Sequence, residues 1–328
     1  MVKIFCTPQF INKEFASNER SEGLKQLSTY GELIDEPAVL EANHAEDVVA
    51  SVASSSLYTD EFYEKADQLR IVARWGVGFD QVNVNAATQH GVIITVTPVH
   101  MDTVAEYTIG QWMATLKRVY TLNRLSHSGD FSIIRTYEAQ GSTLGLYGCG
   151  RIGQHVCQRA RNLLGEKGTL LVYDTRPDID EICGKYNAES VSSPEELFRR
   201  SDTVSLHVSG DDPIVHYDLL SQMQPHASLI NPSRGNLVVD YDVHKAICEE
   251  KLYYYVVDDP VDGPRSIHKD HPRIICTNHN AGISVESTIR LDQTSINQVI
   301  DVLEHRRPDF VLNPDVLKHP RVKEWLSN

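Results

Sequence analysis

The 328-residue sequence contains no apolar run long enough to span a bilayer, so no membrane-spanning helix is expected. Its start, Met1-Val2-Lys3-Ile4-Phe5, lacks the extended apolar block of a signal peptide, which makes the cytoplasm the expected compartment. Cysteine is sparse. Cys6, Cys149, Cys157, Cys183, Cys248 and Cys276 form no CxxC pair and no Cys/His cluster at zinc spacing, which argues for reduced thiols and against a disulfide or metal framework. Positive charge is also short, with 31 Lys and Arg against 45 Asp and Glu and a net charge of −14. That balance excludes non-specific nucleic-acid binding, because neutralising phosphates needs concentrated cations. An acidic chain that handles an anionic ligand must therefore build its positive site from individual arginines.

What is present is alternation. From about residue 70, β-rich runs (Arg70–Arg74, Val92–Val96, Thr143–Tyr147, Thr169–Tyr173, Thr203–Val208, Ser228–Asn231, Tyr253–Val257, Ile274–Thr277) alternate with helical stretches near Ile152–Leu164, Pro194–Arg199 and Tyr241–Lys251. The last six runs are nearly continuous in apolar residues, as expected of parallel strands buried on both faces. The pattern predicts a doubly wound α/β sheet. Ile4–Cys6, Gly31–Ile34, Val48–Val52 and Arg70–Arg74 suggest a smaller α/β unit, and helices are expected from near Thr103 and over about Ser284–Glu304. No repeat or low-complexity segment is visible.

The strand Thr143–Tyr147 runs into Gly148-Cys149-Gly150-Arg151-Ile152-Gly153, a GxGxxG element followed by an amphipathic helix. Gly148 suits a tight turn, Gly150 a close backbone approach to a pyrophosphate, and Gly153 helix–strand packing. The helix start, with Arg151 and Ile152, offers free N–H groups and positive dipole to phosphates. The next strand ends at Asp174, placed to accept from ribose hydroxyls, which favours NAD. Arg176 keeps a mixed NAD/NADP preference open, or is a solvated loop arginine. His207 and Val208, closing the strand Thr203–Val208, are further candidate cofactor contacts.

Three later segments sit at strand ends: Asn231-Pro232-Ser233-Arg234-Gly235, Val257-Asp258-Asp259-Pro260-Val261-Asp262-Gly263-Pro264, and Thr277-Asn278-His279-Asn280-Ala281-Gly282. Arg, acid and His beside a dinucleotide are the groups that hydride transfer at a keto acid needs. A guanidinium grips a carboxylate and polarises a carbonyl oxygen, and a histidine moves the hydroxyl proton. A neighbouring carboxylate orients the imidazole and stabilises its protonated form. No metal is needed for that work.

With these motifs the sequence resembles the D-isomer-specific 2-hydroxyacid dehydrogenases through nearly its whole length. Arg74-Trp75-Gly76-Val77-Gly78-Phe79-Asp80 resembles the family's substrate loop, and the resemblance implies that the Val77 and Gly78 amides hold the carboxylate. Val104-Ala105-Glu106 is similar to the start of its inter-domain helix. Arg234 falls in the arginine motif with Ser233 on the cofactor side, His279 at the acid/base histidine, and Asp258 at the aspartate that contacts the nicotinamide carboxamide. The resemblance implies a doubly wound parallel-sheet (Rossmann) cofactor domain over 98–289 and a discontinuous flavodoxin-like substrate domain over 1–97 and 290–328. It also implies NAD, a small 2-keto or 2-hydroxy acid substrate, and a homodimer formed through the cofactor domain. One position departs: Gly263 stands where the family has the glutamate that partners the histidine. Asp262 is the leading replacement, with Asp259 or no direct carboxylate as alternatives. Asn278-His279-Asn280 likewise replaces a Pro-His pair.

Other candidates keep two readings. Trp75 walls the substrate pocket or packs in the core, and His100 lines the pocket or is structural. Ser55, in the turn Ser54-Ser55-Ser56 before Tyr58, contacts substrate or belongs to a hydroxyl-rich turn. That turn lacks an arginine, which disfavours a phosphorylated substrate. The rival functions are a non-catalytic NAD(H)-binding regulator or scaffold, and a dehydrogenase for a phosphonate or sulfonate analogue.

Overall fold

The computed structural model describes residues 1–11, 18–53, 56–79 and 81–327. The chain forms two compact units, Met1–His100 with Ser284–Asn328, and Met101–Ile283.

In the first unit the strands are β1 (Lys3–Cys6), β2 (Glu32–Asp35), β3 (Val39–Leu40), β4 (Val48–Ala53), β5 (Leu57–Tyr58), β6 (Ile71–Arg74) and β7 (Ile93–Thr95). Five of them form a parallel sheet in the order β2-β1-β4-β6-β7, the flavodoxin-like arrangement, while β3 pairs with β5. Both faces are covered, so alternation is absent: Ile71, Val72 and Ala73 are all fully buried. Ile71 and Ala73 face a core completed by Ile296, Val299, Ile300 and Val302 of the helix Val285–Leu303. Val72 faces the opposite core with Phe62, Tyr63 and Ile94. The helix Val285–Leu303 starts at a capping box in which the Ser284 and Ser287 side chains each accept the other's backbone N–H.

The second unit holds β8 (Thr143–Tyr147), β9 (Thr169–Tyr173), β10 (Glu189–Ser190), β11 (Thr203–Leu206), β12 (Ser228–Asn231), β13 (Tyr254–Val257) and β14 (Ile274–Cys276). They form a seven-stranded parallel sheet in the order β10-β9-β8-β11-β12-β13-β14. This is the doubly wound Rossmann class. Successive strand residues serve opposite cores: Ile230 and Val256 pack with Leu144, Leu146 and Val172, and Leu229, Tyr255 and Val257 with Val204 and Leu206. Strand order reverses between β8 and β11. The carboxyl ends there form the crevice where open α/β sheets take ligands.

Candidate active site

The glycine loop is built at that reversal. Gly148 has φ +96° and donates its N–H to Tyr173 O at 2.8 Å, turning the chain sharply off β8. A Cβ there would lie 2.6 Å from His207 O and 2.8 Å from Val208 Cγ1, so the end of β11 is the floor of the loop. A Cβ at Gly153 would come 2.6 Å from Gly148 O, which lets the helix Arg151–Leu164 pack directly on the turn. Gly150 is different: a Cβ there meets nothing within 4 Å. Its bare backbone borders open space at the start of a 14-residue helix, a cradle that fits a dinucleotide pyrophosphate. Ile152 packs into the core beside that first turn and Arg151 points to solvent.

Asp174 closes the loop from the β9 side. Its Oδ2 accepts Cys149 N at 2.7 Å and its Oδ1 accepts Arg176 N at 3.0 Å. The Arg176 guanidinium is forked onto Asp178 at 2.6 and 2.9 Å and also reaches Cys149 O at 3.3 Å. His207 pairs with Ser205 Oγ at 2.9 Å, and desolvation pushes its imidazole down to about 3, so it stays neutral.

Three loops at the ends of β12, β13 and β14 bring the remaining residues together. Buried Asn231 accepts Ser233 N at 3.1 Å and donates to Arg234 O at 2.8 Å, folding the arginine loop back on its strand. Ser233 Oγ donates to Leu206 O at 2.9 Å, which ties this loop to the end of β11. Arg234 Nη1 donates to Ser233 O at 2.9 Å. Asp258 is buried and accepts Thr277 Oγ1 at 2.6 Å, Asn280 N at 2.8 Å and Ala281 N at 2.6 Å. It clamps the loop that carries His279, and Tyr107 extends the chain with its hydroxyl 2.8 Å from Thr277 Oγ1. Within that loop His279 adopts φ +55°, the left-handed region, with its side chain 55% exposed.

The carboxylate facing His279 is Asp259: its Oδ1 lies 3.2 Å from His279 Nδ1. The expectation for Asp262 is corrected. Asp262 heads a short 3₁₀ turn, and its Oδ1 accepts the N–H of Gly263 at 2.7 Å, so its carboxylate serves as a cap. Gly263 has φ +51°, which glycine adopts freely and glutamate only under strain. Asp259 Oδ2 accepts Gly235 N at 2.6 Å and faces Arg265 Nη2 at 3.7 Å. Burial pushes the Asp259 carboxyl up, but His279, the Gly235 amide and Arg265 together outweigh it and hold the group below its usual range.

Sequence reasoning missed Gly235 and Arg265. A Cβ at Gly235 would lie 2.2 Å from Arg265 Nη1 and 2.6 Å from Asp259 Oδ2, so any side chain there would displace the ends of both. The nearest signal was Arg265 itself, a cation in the loop whose glutamate is absent.

In the first unit, Gly76 has φ +118° and its carbonyl accepts Thr97 N at 2.7 Å, while Arg74 Nε donates to Gly78 O at 2.9 Å. The carbonyls are thus used up internally, and the Val77 and Gly78 amides meet no acceptor among the described residues. His100 borders this loop, its Cε1 3.8 Å from where a Cβ of residue 76 would stand. Trp75 is half-buried and packs against the core of its unit: its Nε1 donates to buried Asp292 Oδ1 at 2.8 Å, the ring packs on the apolar cluster, and Arg20 stands 5.9 Å from it. Ser55 lies outside the described residues. Its neighbours turn inward, Ser56 Oγ donating to buried Glu36 at 2.7 Å and Tyr58 and Ser51 donating to the same carboxylate.

Among the described residues no group of His, Cys, Asp and Glu could hold a metal ion, and no helix is long and apolar enough to cross a membrane. All six cysteines are free.

Residues 109–281 match the model of the D-isomer specific 2-hydroxyacid dehydrogenase NAD binding domain. The chain belongs to this family. A glyoxylate reductase from Korarchaeum cryptofilum is 32% identical over 284 residues, covering 80% of this chain and 83% of that protein. A D-3-phosphoglycerate dehydrogenase from Methanocaldococcus jannaschii is 28% identical, covering 95% of this chain and 60% of that one. The crystal structure of a glyoxylate reductase from Paecilomyes thermophila has the same fold, with a TM-score of 0.79, 19% identity, and coverage of 95% and 98%. This 2-hydroxyacid dehydrogenase is therefore an NAD(H)-dependent oxidoreductase that moves a hydride between the nicotinamide and C2 of a 2-keto or 2-hydroxy acid. The regulator and analogue readings are not favoured.

Proposed function

We propose that the enzyme reduces a small, unphosphorylated 2-keto acid with NADH, glyoxylate being the first substrate to test. The observation that carries the catalytic assignment is the shared Asp259 carboxylate, which takes the Gly235 amide beside Arg234 on one oxygen and faces His279 on the other. With Nδ1 turned to Asp259, His279 keeps Nε2 for the substrate oxygen and delivers the proton from there. The Arg234 guanidinium grips the carboxylate and stabilises the charge developing on the C2 oxygen. When bound along Gly148–Gly153, the dinucleotide supplies the hydride. Asp258 keeps the His279 loop in place while that exchange occurs.

The Korarchaeum relative's name and the absence of arginine from residues 54–58 support the unphosphorylated acid. The test is a panel of glyoxylate, hydroxypyruvate, pyruvate and 3-phosphohydroxypyruvate followed by loss of NADH absorbance. Glyoxylate or hydroxypyruvate should lead; highest kcat/KM with the phosphorylated acid would overturn the substrate class.

Asp174 and the engagement of Arg176 by Asp178 support NADH over NADPH. Asp174→Ala should erode the preference by about tenfold, since one charge-assisted hydrogen bond to ribose is lost. Equal efficiency of the wild type with both cofactors would refute the assignment.

The homodimer reading is supported by the segment after the helix Val119–His127, where Phe131 is 82% and Ile133 100% exposed with Val119 and Tyr137 also outward. Such apolar exposure is characteristic of an interface. Phe131→Asp combined with Ile133→Asp should halve the sedimenting mass at micromolar concentration; an unchanged mass places the interface elsewhere. Six free cysteines suit a reducing compartment, and the cytoplasm is the proposed location.

A further inference from the structure

We propose that Arg265 is a positioning residue for the acid/base pair, holding Asp259 in register with both His279 and the arginine loop. The inference rests on the assignment of Asp259 and His279 above and extends it to a group outside the reacting set.

Arg265 is only 13% exposed and stands between two carboxylates that are themselves mostly buried, Asp259 at 3.7 Å and Asp240 at 3.9 Å. Asp240 is already engaged on its other oxygen, where Oδ1 lies 2.8 Å from His268 Nε2. The remaining guanidinium donors are spent on two different loops: Nε donates to Pro260 O at 3.3 Å, and Nη1 to Asn236 Oδ1 at 3.4 Å. One planar cation thereby staples the loop after β13 to the loop after β12. Asp259 lies on the first loop immediately before Pro260, and Arg234 and Gly235 precede Asn236 on the second.

The missing side chain of Gly235 makes the room for Arg265 Nη1 and Asp259 Oδ2, and the same glycine's amide supplies the carboxylate's 2.6 Å hydrogen bond. Without the guanidinium, Asp259 keeps the Gly235 amide but loses the cation that stands beside it opposite the imidazole, and the two loops lose their cross-link. A carboxylate so freed can turn toward solvent, and His279, which is more than half exposed, has no packing to hold its ring. The pair therefore depends on Arg265, which acts through Asp259.

The experiment is a double-mutant cycle in the full-length enzyme, with kcat, KM for the keto acid and NADH affinity measured for each variant. Arg265→Gln should lower kcat about tenfold, with NADH affinity changed less than about twofold. In an Asp259→Asn background the same change should cost less than about twofold, because the group it positions is gone. Arg265→Lys, which retains the charge, should return kcat to within about threefold of wild type and guards against a fold effect, with thermal unfolding run alongside. Equal losses in both backgrounds, or full activity of Arg265→Gln, overturn the positioning role while leaving the Asp259–His279 assignment intact. Full activity of Asp259→Asn itself overturns that assignment and the inference with it.

Discussion

Arg234→Lys is expected to lower kcat/KM for keto-acid reduction by about a hundredfold or more while leaving NADH affinity nearly unchanged. Lysine keeps the charge but not the planar fork that holds a carboxylate and a carbonyl oxygen at once, so the loss falls mainly on the transition state. The backbone argues for a clean experiment. The Asn231 side chain holds Ser233 N and Arg234 O, and Ser233 Oγ is bound to Leu206 O. None of these three bonds uses the Arg234 side chain; the loop bond that the variant changes is Arg234 Nη1 to Ser233 O, so thermal unfolding is measured alongside. Turnover within threefold of wild type would remove Arg234 from the site.

Asp259→Asn is expected to lower kcat by about tenfold to a hundredfold and to move the alkaline limit of reduction to lower pH. The sign follows from charge. Asp259 is held below the usual carboxylate range, and its negative charge faces the Nδ1 side of the imidazole that reduction uses as its acid. Asparagine removes that negative charge; the proton is then lost at lower pH and the descending limb shifts down. Asp262→Asn should leave the limb in place, because that carboxylate caps its own turn through Gly263 N. A limb that moves for Asp262→Asn and stays for Asp259→Asn would reverse the assignment. Gly263→Glu is not a useful restoration, since φ +51° strains any side chain there even though the space is open.

Much of the fold was legible because parallel strands buried on both faces leave an unambiguous mark. The expected strands Thr143–Tyr147, Thr169–Tyr173 and Ser228–Asn231 coincide with β8, β9 and β12. The short edge strand β10, Glu189–Ser190, and the helix Asn18–Leu27 carried no such mark: both are polar, and pairing or packing against the rest of their unit defines them. The glycine loop was legible too, because Gly148 and Gly153 answer local backbone demands and Gly150 leaves its backbone bare at the helix start. Gly148 is the clearest, with φ +96° against the floor at His207.

By itself the sequence determined the parallel α/β class, the dinucleotide loop with Asp174, and the two loops that carry Arg234 and His279, since each depends on residues adjacent in the chain. Only the tertiary structure decided which carboxylate faces His279, that Trp75 donates to Asp292, and that Arg265 stands beside Asp259. The reason is that hydrogen-bond partners are chosen across strands. Asp259 and Asp262 are three residues apart, yet one points across to the loops after β12 and β14 and the other folds back on its own turn.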